Sequence, residues 1–365
     1  MESKTQENSN SGSIIGADEP KHITFPYDYT PVHPQLHQYK KQSFFHRFIS
    51  KPIYSVLKPL VLVFRVSMIL LFLFIQAILL TMIDFGTDKE KPQTVFRRKL
   101  FRLTTKICCS IILLAQGFVV KVVRKPAKNS KSAISVMNHR SGYDILVNGI
   151  IGVDGMIGKE AYTSNFLTGA PFKASRSIQI GKKNQTKSGF QILKERFTSG
   201  QNWPPITVYA EGTVTSFGVI LRLRTGCFRL GLPIQPVALK FFYEEPFEWL
   251  FETVPEHFLA TGNNLTGRIE ASFLDVMSQQ AGEWPRQFAD RVGKAMADEI
   301  GSVYVPYQSE DVYYFNGKGD ISKCTEEYLR DYGWMGTLKD YKEMCKKAGL
   351  NWRYEWPKEK FANIE

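Results

Sequence analysis

At 365 residues the chain can bury one sizeable core with appendages, so a single main domain is the simplest organisation. Its formal net charge of +12 calls for acidic partners; nucleic acid is set aside, because no nucleic-acid motif is visible and many lysines and arginines flank apolar segments instead. Five cysteines, Cys108, Cys109, Cys227, Cys324 and Cys345, follow no disulfide or zinc spacing, which excludes a disulfide-stapled scaffold and fits a reducing compartment.

In chain order, residues 1–40 read as a disordered tail containing serine, asparagine and glycine, with no secretory leader, since the first apolar stretch lies too deep in the chain. Residues 41–125 read as a membrane-anchoring helical region. Its centre, Val66 to Ile83, is 18 residues without a formal charge, close to the length that crosses a hydrocarbon core. A second apolar stretch, Ile107 to Val120, is shorter and is expected to be interfacial, re-entrant or a core helix. Basic residues lie on both sides of the first stretch: Lys40, Lys41, Arg47, Lys51 and Lys58 before it, Arg97, Arg98, Lys99, Arg102 and Lys106 after it. A two-limbed hairpin or re-entrant helix keeps both flanks on one face of the membrane, the cytosolic one. Cys108 and Cys109 beside an apolar stretch are candidates for palmitoylation, with burial the commoner fate.

Residues 126–310 carry the polar motifs. The apolar run Ala133–Met137 is a predicted strand, and Asn138-His139-Arg140-Ser141-Gly142-Tyr143-Asp144 follows it directly. A five-residue step on a straight helix leaves two side chains about 140° apart, so His139 must precede the helix if Asp144 is to meet it. With a helix beginning around Ser141, a good N-cap, Asp144 lies in the first turn and reaches back. Such a pair holds one imidazole nitrogen as donor and leaves the other to accept a proton. The structural alternative is a histidine bonded to an acid merely to close a strand-to-helix turn.

Further on, Ser177-Ile178-Gln179-Ile180 leads into the basic loop Gly181-Lys182-Lys183-Asn184-Gln185, where a phosphate fits. Pro205–Ala210 is a buried-type strand that delivers Glu211-Gly212-Thr213 at its C-terminal end, the place where open α/β sheets put their sites. Arg224-Thr225-Gly226-Cys227-Phe228 precedes another apolar strand, Leu232–Leu239, with Pro233 at its entrance. Arg268–Leu274 alternates like a strand, and Pro285–Ile300 has helical spacing with Phe288, Val292, Met296 and Ile300 on one side. The alternation predicts an α/β domain with a mainly parallel central sheet wrapped by helices, preceded by the membrane-embedded helical segment. Residues 311–365 form a C-terminal extension with helical, aromatic-rich spacing. Asn184-Gln185-Thr186 and Asn264-Leu265-Thr266 match the glycosylation pattern and are taken as chance matches.

The ordered set resembles the glycerolipid acyltransferases, the group that includes glycerol-3-phosphate and lysophosphatidic acid acyltransferases. His139 and Asp144 fit that family's histidine, four residues, aspartate motif; Glu211-Gly212-Thr213 fits its Glu-Gly-Thr motif; Pro233 to Pro236 resembles its proline-containing block. Thr198-Ser199-Gly200-Gln201-Asn202-Trp203-Pro204 and Phe288–Val292 are similar to the lysophosphatidylcholine acyltransferase branch. Lys182 stands where the family usually has arginine, a point charge in place of a fork of donors. No Asp-x-Asp-x-Asp-Gly calcium loop follows, so calcium control is not expected.

The resemblance implies acyl-CoA as co-substrate, no cofactor or metal, a lysophospholipid as acceptor and the bilayer as partner, on the endoplasmic reticulum with the domain facing the cytosol. It implies His139 as base and Asp144 as its orienter, Lys182, Glu211, Gly212 and Thr213 around the acceptor, and Arg224 neutralising phosphate. Oxyanion donors are expected among the backbone N–H groups near Ser141. Two alternatives stay open: acylation of lysophosphatidic acid or glycerol-3-phosphate, and a catalytically silent lipid-binding protein of the same fold.

Overall fold

The computed structural model describes residues 23, 25–28, 44, 46–126, 134–159, 164–180, 187–250 and 253–309. Lys182, Asn184, Cys324, Cys345 and the stretch 311–365 lie outside the described residues, as does most of 1–40.

Short apolar runs separated by helices build one seven-stranded sheet. In chain order its strands are β1 (Phe118–Arg124), β2 (Ile134–Met137), β3 (Gly155–Lys159), β4 (Ile178–Ile180), β5 (Ile206–Val208), β7 (Ile234–Phe242) and β8 (Gly267–Phe273), in the spatial order β1-β8-β7-β2-β5-β3-β4. Every neighbouring pair is parallel except β7 with β8. Parallel neighbours need crossovers, which α3 (Tyr143–Ile151), α4 (Phe166–Ala174) and α5 (Gly189–Thr198) supply, and the expected mainly parallel α/β architecture is found. A separate pair, β6 (Val219–Leu221) with β9 (Val303–Val305), flanks the sheet.

The central strands are apolar throughout because both faces are covered: every residue of β2 and β5 is buried. On one face Ile134, Val136, Ile206 and Val208 pack with Phe288, Val292 and Met296 of α7 (Pro285–Ile300). On the other, Met137, Val237, Leu239 and Ile269 pack with Leu113, Tyr143 and Val147. The predicted boundaries of α7 hold to the residue, since Pro285 suits a first turn and Gly301, with φ of +67°, ends the helix. Asn264 is fully buried and binds the backbone of Glu244 and Glu245, so it has no surface to accept a glycan.

The N-terminal region is a helical hairpin, α1 (Lys51–Asp84) packed on α2 (Val95–Ala115). Among the described residues α1 alone is long and apolar enough to cross a membrane. Its 34 residues make one uninterrupted helix, roughly 51 Å long. The stretch Ile107–Val120, expected as a single apolar segment, divides instead: the helix ends at Ala115 and β1 begins at Phe118. Gly117 makes the break. Its φ is +85° and a Cβ there would stand 2.1 Å from the carbonyl oxygen of Leu265, so only glycine fits. β1 then joins the sheet beside β8, so the sheet begins before residue 126. Cys108 and Cys109 are buried, with no surface for acylation.

Both ends of α1 are tied to the sheet domain. Near its start Lys51 pairs with Glu245, the Tyr54 hydroxyl donates to Gly262 O at 2.8 Å, and Arg65 donates to Asn264 O at 2.9 Å and Leu265 O at 3.0 Å. At its end Asp84 accepts from Arg176 at 2.7 Å. Residues 262–265 precede β8 on the rim where β2 ends, whereas Arg176 precedes β4 on the opposite rim. The helix thus lies obliquely along the flank of the domain, with Leu60, Phe64, Leu71, Phe74 and Met82 exposed along its outer side.

Candidate active site

The end of β2 aims the site. Asn138 is fully buried and carries the strand pairing one step further with its side chain: its Nδ2 donates to Leu239 O at 2.9 Å and its Oδ1 accepts from Leu239 N at 2.7 Å. His139 then leaves the sheet. Gly142 is the N-cap of α3, and Ser141 supports that end from one position further out, its Oγ accepting from Tyr143 N at 3.1 Å. The helix therefore starts two residues later than Ser141, yet Asp144 is still in its first turn.

Asp144 reaches back as expected from the five-residue spacing. Its Oδ2 meets His139 Nδ1 at 2.7 Å and also accepts from Arg140 N at 2.5 Å and Ser141 N at 3.0 Å. A buried carboxylate accepts there, so Nδ1 carries the proton and Nε2 keeps its lone pair. His139 Nε2 has no partner among the described residues, and 21% of the side chain is exposed. Its ring stacks on Tyr209, with centroids 4.4 Å apart and planes 25° apart. A ring face against an imidazole that gains a proton stabilises the charged form, worth about 0.5–1 kcal/mol at a partly exposed site. Tyr209→Leu is therefore expected to lower kcat by about three- to fivefold, and Tyr209→Phe to retain it; steady-state kinetics of the two variants check this.

Glu211 arrives from β5, the strand beside β2, and faces inward. It is fully buried, and Oε1 accepts from His139 N at 2.9 Å and from Arg140 Nη1 at 2.7 Å. Oε2 accepts from Leu221 N at 2.9 Å and Thr215 Oγ1 at 3.0 Å. Arg140, itself 1% exposed, also donates to His139 O, Thr215 Oγ1 and Val219 O. The carboxylate expected at the acceptor thus lies behind the motif, holding the His139–Arg140 backbone. Neither Asn138, Arg140, Tyr209 nor Thr215 stood out in the sequence, although all lie within four residues of a motif residue.

Gly212 turns the chain with φ of +75°, and a Cβ there would stand 2.5 Å from Arg224 Nε. Arg224 is exposed, borders the Glu-Gly-Thr turn and donates from Nε to Ser309 Oγ at 2.7 Å. Thr213 follows at the tip, half-buried, with neither its N–H nor its hydroxyl bonded among the described residues. The structure thus brings His139, Asp144, Glu211, Gly212, Thr213 and Arg224 to one rim of the sheet.

The expected oxyanion donors are a correction. From His139 to Tyr143 every backbone N–H is already engaged: by Glu211, by Asp144 twice, by His257 and by Ser141. The reason is that Asp144 and its neighbours cap α3, consuming the N–H groups a helix start would otherwise offer. Ser141 Oγ is buried and occupied, and burial pushes the Cys227 thiol up to about 12, so neither is a nucleophile. Among the described residues no cluster of histidine, cysteine and carboxylate side chains is arranged to hold a metal.

Residues 119–240 match the acyltransferase family model. Lysophosphatidylcholine acyltransferase 2 of Mus musculus is 23% identical over 269 residues, covering 72% of this chain and 48% of that protein. Lysophosphatidylcholine acyltransferase of Drosophila melanogaster is 24% identical over 271 residues, covering 72% and 49%. The chain spans about half the length of the curated relatives it matches. Among solved structures, the 1-acyl-sn-glycerophosphate (LPA) acyltransferase PlsC of Thermotoga maritima aligns with a TM-score of 0.49 at 16% identity, over 68% of this chain and 98% of that one. Residues 119–240 thus match the acyltransferase family, and the chain is similar, there and beyond, to proteins named lysophosphatidylcholine acyltransferases, the branch that the ordered motifs resemble.

Proposed function

We propose that the protein transfers an acyl group from acyl-CoA to the hydroxyl of a lysophospholipid at a membrane surface, with His139 as general base. The single observation that carries this reading is the 2.7 Å contact between His139 Nδ1 and the buried Asp144, which leaves Nε2 facing outward as a proton acceptor. The relatives named as lysophosphatidylcholine acyltransferases point to the acceptor class.

The step balances without an enzyme nucleophile. The lysolipid hydroxyl oxygen bonds to the thioester carbon as its proton passes to His139 Nε2; the C–S bond then breaks, and the departing CoA sulfur takes that proton. Asp144 supports the imidazolium in between. With the amides of the motif loop occupied, the N–H and hydroxyl of Thr213 are the donors for the developing oxyanion. Arg224 neutralises a phosphate of either substrate, and Lys182 remains assigned to the same task from its place in the second motif.

The membrane placement we infer rests on α1. A helix bound at both ends to the opposite rims of one domain cannot stand across a bilayer unless the domain straddles it. We therefore place α1 along the surface of one leaflet, its exposed stripe in the acyl region. Adding charge to that stripe, as Leu60→Asp, Phe64→Asp and Leu71→Asp together, is expected to weaken binding to phosphatidylcholine vesicles by about tenfold or more. Flotation of the full chain checks it, and unchanged flotation refutes the placement.

The functional reading is tested with purified full-length protein, one labelled acyl-CoA and a panel of acceptors: lysophosphatidylcholine, other lysophospholipids, lysophosphatidic acid and glycerol-3-phosphate. Labelled diacyl product from a lysophospholipid supports it. Transfer confined to lysophosphatidic acid or glycerol-3-phosphate moves the acceptor assignment, and an inert protein across the panel leaves only lipid binding.

A further inference from the structure

We propose that His257, on α6 (Val254–Thr261), is a positioning residue that seats the His139–Asp144 pair through the backbone of Gly142. The loop Arg140–Tyr143 has two walls. Behind it stands Glu211, bonded to His139 N and Arg140 Nη1. The segment that follows β7 also lies against it, and two of its groups grip the loop: Trp249 N donates to Arg140 O at 3.1 Å, and His257 Nε2 accepts from Gly142 N at 3.3 Å. The two gripping residues are stacked on each other, with centroids 4.9 Å apart and planes 12° apart. The segment is itself fixed, since buried Glu248 accepts from Phe217 N at 3.1 Å and Phe247 sits among Phe118, Tyr143 and Phe217.

This arrangement answers a need of α3. Gly142 has no side chain to cap the helix, and its own N–H points away from the helix toward the α6 side. An imidazole acceptor from elsewhere in the chain satisfies that N–H, and a flat ring stacked on Trp249 allows little lateral play. Accepting at Nε2 requires the proton of His257 to be on Nδ1. His257 is 2% exposed, so its part in the chemistry is indirect: it fixes the backbone between base and orienter. A misplacement of about 1 Å in such a pair costs up to about 100-fold in rate.

Because this inference rests on the acyl-transfer reading, the test has a readout that needs no turnover. His257→Phe keeps a stacking ring and removes the acceptor; His257→Asn keeps an amide that stops short of Gly142; His257→Gln carries an oxygen to about the Nε2 position. In acyl-transfer assays the Phe and Asn variants are expected to lose about tenfold or more in kcat with the KM for acyl-CoA unchanged, and Gln to restore most of it. In 15N-histidine-labelled full-length protein in micelles, the His139 imidazole resonances are expected to move in Phe and Asn and to return in Gln. Wild-type kcat with unmoved His139 resonances in Phe or Asn overturns the proposal, as does a Gln variant no better than Asn. If the wild type acylates no acceptor, the acyl-transfer reading fails and the His139 resonances alone decide whether His257 seats the pair.

Discussion

His139→Ala is expected to lower acyl transfer from acyl-CoA by about 100- to 10,000-fold while leaving flotation with vesicles at the wild-type level. The size follows from what the residue alone supplies. Ser141 and Cys227 are buried and engaged or protonated, so neither replaces it as acceptor of the hydroxyl proton. The separation of the two readouts follows from where the parts lie. The exposed apolar stripe belongs to α1, whose ties to the domain run through Lys51, Tyr54, Arg65 and Asp84 and do not involve His139. Turnover equal to wild type in this variant would remove the base assignment. Asp144→Asn is expected to lose a comparable amount, because an amide N–H turned to Nδ1 places the ring proton on Nε2 and the imidazolium loses its counter-charge.

Glu211→Ala is expected to cost about 3–5 kcal/mol of stability and to abolish activity with it. Arg140 is 1% exposed, and Glu211 is the only carboxylate paired with it among the described residues. Truncating Glu211 leaves a guanidinium buried without a counter-charge, and it also frees His139 N and Leu221 N. Glu211→Gln separates charge from shape: it keeps an acceptor for some of those donors while removing the negative charge, so a smaller loss is expected. Urea unfolding of the two variants alongside acyl-transfer assays checks this. A Glu211→Ala protein as stable as wild type, with only its KM for the lysolipid raised, would return Glu211 to direct contact with the acceptor.

What the sequence made legible was local. The five-residue step from His139 to Asp144 could be satisfied only by a histidine ahead of the helix, and the structure has it so. The apolar runs at 133–137, 205–210 and 232–239 could be assigned as central strands because no polar alternation interrupts them. The illegible part was long-range. Nothing in Glu-Gly-Thr says that the carboxylate turns inward to an arginine 71 positions earlier, or that Gly142 meets a histidine 115 positions later. The stretch 107–120 misled for a related reason: hydropathy runs straight through Gly117, whereas the close approach of Leu265 O, supplied by the turn before β8, ends the helix there. The occupied amides of the motif loop were hidden too, since their acceptors come from three different elements.

If His139 acts as a base on the acceptor, no acyl group passes to the enzyme. The most direct test mixes protein and acyl-CoA at comparable concentrations and follows free CoA thiol, first without and then with lysophosphatidylcholine. No thiol is expected until the lysolipid is added, and then thiol and acylated product rise together. A burst of one thiol per protein in the absence of lysolipid would reveal an acyl-enzyme and rule out direct attack by the acceptor hydroxyl.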